Sequence, residues 1–72
     1  MSKAKVVVTI DDSHIPSIQS VADHLRSAGL EVEQVLETSG IIIGEVEQEK
    51  RTQLRSVNGV ADVESDGEMR AI

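Results

Sequence analysis

The sequence predicts an α+β domain, a four-stranded antiparallel sheet with two helices on one face. Three observations lead there. Two β-branched runs, KVVVTI at 5–10 and GIIIGEV at 40–46, are apolar on both faces, which suits strands inside a sheet. An amphipathic helix closed by a glycine follows the first run. The whole chain then reads strand, helix, strand, strand, helix, strand, and right-handed crossovers leave few ways to fold that order.

Each element has its own local reason. The run 5–10 is bounded by DDSH, where Asp12 or Ser13 can cap a helix and Pro16 falls in its first turn, where a missing N–H costs nothing. Ile18, Val21, Ala22 and Leu25 recur at helical spacing, and Gly29 stops the helix. LEVEQVL at 30–36 alternates through Leu30 and Val32, then slips to Val35 or Leu36, so it reads as a strand with one wet face. ETSG turns the chain into the third strand, 41–46. EQEKRTQLRSV is helical in composition, with Leu54 and Val57 as a thin apolar face. Asn58-Gly59 closes it with left-handed conformers. A short strand at 60–64 and a polar tail, 65–72, end the domain, which occupies 1–72 as a single unit.

The usual outcome of this order is the ferredoxin-like split βαβ arrangement, in which the first and third strands are central neighbours. Alternation assigns Val6, Val8, Ile41 and Ile43 to the helix side. It leaves Val7, Thr9, Ile42 and Gly44 on the open face. Exposed aliphatics there have two readings. They are ordinary surface, since much of any protein surface is apolar, or they form a docking face for another protein.

Composition limits the function. Thirteen Asp and Glu against seven Lys and Arg give a formal charge of −6, which argues against nucleic acid, whose phosphates call for a basic surface. No aromatic residue is present to stack bases. With no cysteine there is neither a disulfide nor a thiolate metal site. The start, MSKAK, precedes no apolar run long enough for a signal peptide or membrane helix, so the expected setting is the cytoplasm, away from membranes.

Catalytic patterns are sparse. Asp11, Asp12, Ser13 and His14 read as a helix start, since Asp and Ser cap and acids favour a helix N-terminus. His24 has no second histidine three or four residues away to share a metal. Lys3, Lys5 and Lys50 have no evident desolvated pocket of the kind a Schiff-base lysine needs. Gly40 and Gly44 lack the Lys-Ser/Thr end of a phosphate loop. Lys50, Arg51 and Arg55 read as a solvated helix face, with Glu47 spaced to pair with Arg51. The expectation is a protein that is not an enzyme and holds no cofactor and no metal.

The second half carries a resemblance. GVADVESD at 59–66, preceded by a helix with QLRSVN, resembles the subtilisin propeptide and proteinase B inhibitor family. Val60, Ala61, Val63, Glu64 and Asp66 match that family's last strand. Asn58-Gly59 matches its turn, Leu54 a helix core position, and Val46 the apolar residue before the helix. Asp62 stands where the family carries an aromatic. The front half agrees in pattern only. The resemblance implies that the open sheet face docks onto two surface helices of a subtilisin-like protease, with Glu64 and Asp66 capping their N-termini. It further implies that the tail Met69, Arg70, Ala71 and Ile72 lies along the protease cleft as a product-like strand, Met69 filling an apolar pocket and Ile72 facing the catalytic serine.

Three functional readings therefore stand in order. The first is a stand-alone inhibitor or folding chaperone of a subtilisin-like protease. The second is a self-associating domain of unknown role, dimeric through the open sheet face. The third, well behind, is an aldolase-type enzyme.

Overall fold

The structure, a computed structural model, describes residues 3–65. Four strands, β1 (Lys3–Ile10), β2 (Glu31–Leu36), β3 (Ile41–Glu47) and β4 (Val60–Ser65), form one antiparallel sheet in the order β2-β3-β1-β4. Two helices, α1 (Ile18–Ser27) and α2 (Arg51–Leu54), complete the βαββαβ order. This is the ferredoxin-like α+β arrangement. The β-branched runs are its two central strands.

One core holds the layers together. From the sheet come Val6, Val8, Ile10, Ile42, Val46 and Val63; from the helices come Ile18, Val21, Ala22, Leu25 and Leu54. Leu30 joins them from the end of α1. No polar or charged residue is buried among the described residues. Without aromatics, stability rests on many small aliphatic contributions, each about 1.5–3 kcal/mol when fully buried.

The end of α1 shows how sequence sets geometry. Gly29 adopts φ +110°, and the Leu30 N–H reaches the Leu25 carbonyl at 3.0 Å while the Gly29 N–H reaches that of Arg26 at 3.0 Å. These are the two bonds of a Schellman motif, and the buried pair Leu25 and Leu30 supplies its apolar contact. The start differs from expectation. Asp11, rather than Asp12 or Ser13, is the cap, accepting from the Ser13 N–H at 3.4 Å. A 3-10 turn, Asp12–Ser17, contains Pro16, and the α-helix proper begins only at Ile18.

The second helix is shorter than its composition suggests. A 3-10 turn, Gln48–Lys50, leads into a single α turn whose one buried residue is Leu54. A segment with one anchor has little apolar face to hold a longer helix against the sheet. Among the described non-glycine residues none has positive φ, so Gly59 alone, at φ +98°, makes the left-handed turn expected of Asn58-Gly59.

The face assignment of β3 is corrected. Val6 pairs with Gly44 and Val8 with Ile42, and directly opposed residues share a face. Ile42 is 0% exposed and Val46 1%, so Ile42, Gly44 and Val46 point at the helices. Ile41 and Ile43 lie on the open side, opposite Thr9 and Val7. In β2 a bulge at Glu33, between Val32 and Gln34, accounts for the slip in alternation. It keeps both Val32 and Val35 against the core, and Leu36 falls opposite Ile41.

Candidate functional site

The face of the sheet away from the helices is the candidate site. Its centre is a cross-strand pair, Val7 of β1 opposite Ile43 of β3. Beside it Ile41 lies opposite Thr9 on one strand and Leu36 on the other. Val7, Leu36, Ile41 and Ile43 are half-buried, which neighbouring side chains on one sheet face bring about by packing together. They form an aliphatic patch that no helix covers among the described residues. Alternation along the sequence puts Val7 and Thr9 on this face, as found, but Ile42 and Gly44 where Ile41 and Ile43 stand. It also missed Leu36.

A signal for the correct choice was available. Glu45-Val46-Glu47 alternates, and glutamate belongs in water. Counting back by twos from Glu45 puts Ile43 and Ile41 outside, and counting back from Val46 puts Gly44 and Ile42 inside. The bulge hides Leu36, because an extra residue reverses parity along β2.

Charges border the patch. Toward the start of β1, Lys3 is opposite Glu47, and Lys5 is opposite Glu45, which in turn faces Glu31 on β2. Lys3 pairs with Glu31, and Lys5 pairs with Glu33 at 3.3 Å. The hydrogen bond to Glu31 raises the Lys3 pKa above its ordinary 10.5, partly opposed by desolvation, and the charges of Glu31, Glu47 and Glu45 raise it further. A raised pKa means that this pairing is fully present below pH 10.5 and is lost only as pH rises through the higher value. Lys3 therefore keeps its charge through neutrality.

On the other side, β4 places Glu64 opposite Val7 and Asp62 opposite Thr9. Arg55 reaches round this edge, donating to the Val63 carbonyl at 2.9 Å and lying 3.4 Å from Asp62. Arg51 donates to the Ser65 hydroxyl, so the helix joins the edge strand along its length. Glu64 itself is exposed and points to the open side. Asp66 and the tail residues Met69, Arg70, Ala71 and Ile72 lie outside the described residues.

The acidic start of the helix segment has a structural account. The Asp11 N–H donates to the Gly59 carbonyl and the Ile10 N–H to that of Gly40, each at 2.8 Å, so three loops meet at this end of the sheet. The His14 ring lies against Gly59, where an added Cβ would come within 3.1 Å of it. Ser13 Oγ is 3.3 Å and Asp11 Oδ2 3.9 Å from the same ring nitrogen, His14 Nδ1. A catalytic relay needs nucleophile and carboxylate on opposite nitrogens, so this cluster does not form one. His24 is exposed on α1. Among the described residues no group of three or more His, Asp or Glu is placed to hold a metal ion, and no helix is long and apolar enough to cross a membrane.

Comparison with protein-family models, with curated proteins and with solved structures returns no match for this chain.

Proposed function

We propose that this domain is a protein-binding module that docks the open face of its sheet onto another protein, in the manner of the subtilisin propeptides its last strand resembles. The observation that carries this reading is the patch of Val7, Leu36, Ile41 and Ile43 on adjacent strands, which no other element covers among the described residues. An aliphatic cluster on the strands of a small, strongly charged domain is what a docking surface requires. Glu64 supports the same reading. It stands exposed beside the patch on the edge strand, where its carboxylate is open to hydrogen-bond donors or a cation from a partner. Ile42 and Gly44 take no part in the patch, because the core uses them.

Self-association through the same face is the weaker reading on physical grounds. Two copies would each bring a formal charge of −6 and would bury two sets of Glu45 and Glu64 around the joint.

The test is inhibition of subtilisin-type proteases by excess protein. The wild-type domain should slow at least one such enzyme. Ile43→Asp should weaken that effect at least about thirtyfold, the loss of a central apolar contact of about 2 kcal/mol. Sedimentation of the free protein should give the monomer mass. An unimpaired Ile43→Asp inhibitor, or a panel of subtilases unaffected by the wild type, would count against the reading.

A further inference from the structure

The carboxylates of the open face fall into two groups. Glu31, Glu33 and Asp62 are each matched by a cation, Lys3, Lys5 and Arg55 respectively, and Glu47, opposite Lys3, is engaged as well. Glu45 and Glu64 have no hydrogen-bond or ion-pair partner among the described residues. Lys5 is opposite Glu45 in the register, yet its ammonium goes to Glu33. These two carboxylates flank the central pair. Glu45 follows Ile43 by two residues on the same face of β3, and Glu64 is directly across from Val7 on β4.

Any partner that covers Val7 and Ile43 removes water from both carboxylates. An ionised group stripped of water without compensation costs several kcal/mol, enough to cancel the gain from the apolar contact. A second copy of this chain offers Lys3, Lys5 and Arg55 at this face, but these are already committed to Glu31, Glu33 and Asp62. We propose that the occupant of this face is a protein segment that presents an apolar ridge with Arg or Lys on both sides, one cation for Glu45 and one for Glu64. The proposal rests on the docking reading and adds the chemistry of the partner's surface. It implies association that is steered by charge and weakens with salt.

Two synthetic amphipathic helical peptides test this. They share the same leucine ridge, and the flanking positions are all Lys in one and all Glu in the other. Titration of isotope-labelled protein would be followed by amide chemical shifts. The Lys peptide should move the amides of Val7, Leu36, Ile41 and Ile43, bind at least about tenfold tighter than the Glu peptide, and weaken with added salt. Glu45→Gln with Glu64→Gln should lower its affinity about tenfold, and Asp12→Asn with Glu49→Gln, a matched charge change away from the face, should not. Shifts centred on α1, equal losses from both double variants, or equal affinity for the two peptides would overturn the proposal. The outcomes separate it from the protease reading. Inhibition of a subtilase without Lys-peptide binding removes this inference alone, and Lys-peptide binding at the patch without inhibition removes the protease alone.

Discussion

Ile42→Asp is expected not to fold, whereas Ile43→Asp, one residue along, is expected to fold. Ile42 is 0% exposed and lies opposite Val8 at the centre of the sheet, facing the helices. Aspartate there would lose the burial of an isoleucine, about 1.5–3 kcal/mol. It would also place a carboxylate in a core with no polar partner, which costs several kcal/mol more even if the group takes up a proton. A domain of 72 residues has a net stability of only about 4–11 kcal/mol. Far-UV circular dichroism of Ile42→Asp should therefore show an unfolded chain at neutral pH. Ile43 is half-buried on the other face, at the open side, so aspartate there reaches water and should shift the urea midpoint by the equivalent of about 1 kcal/mol. Equal behaviour of the two variants would mean that the face assignment is wrong.

Gly44→Ala is expected to destabilise the domain by about 1–3 kcal/mol, an overpacking cost. The sign makes this informative. On chain entropy alone, replacing a strand glycine by alanine stabilises by about 0.4–1 kcal/mol. Gly44 has no positive φ to excuse it, so the reason lies in space. A Cβ at Gly44 would point to the core side and come within 2.3 Å of the Glu31 carbonyl oxygen and 3.2 Å of Leu30 Cδ1. The first contact is backbone and cannot swing aside. Leu30 and Glu31 are where the chain leaves the Schellman turn and enters β2, so relief would disturb the end of α1 as well as the sheet edge. A lower urea midpoint for Gly44→Ala, with an unchanged slope, is the expected result. A higher midpoint would show that β2 gives way freely.

The sequence made the order of elements legible because the signals were local. The β-branched runs, the α1 stripe from Ile18 to Leu25 and the glycine at 29 each mark one element without reference to the others. Face assignment was harder, because it depends on partners. Three isoleucines in a row carry no mark of inside or outside, and the answer came from the β1–β3 register and from Val46 between its two glutamates. The bulge at Glu33, required to keep Val32 and Val35 both on the core, was visible as a slip, but its effect on Leu36 was not. Helical composition after Glu47 overstated α2, since composition reports propensity and only Leu54 supplies an anchor. The candidate site was half legible for the same reason. Its β1 residues, Val7 and Thr9, follow from alternation within their own run, and its β3 residues only from alternation carried back from Glu45 and Glu47.

The central claim is that the patch around Val7 and Ile43 is a docking surface. Its most direct test is a hydrogen-exchange footprint of the protein mixed with an inactivated subtilisin-type protease. The account predicts added protection in β1, β3 and β4 around Val7, Ile43 and Glu64, with α1 unchanged. Protection confined to the helices, or none on any strand at protein concentrations that saturate the protease, would contradict it.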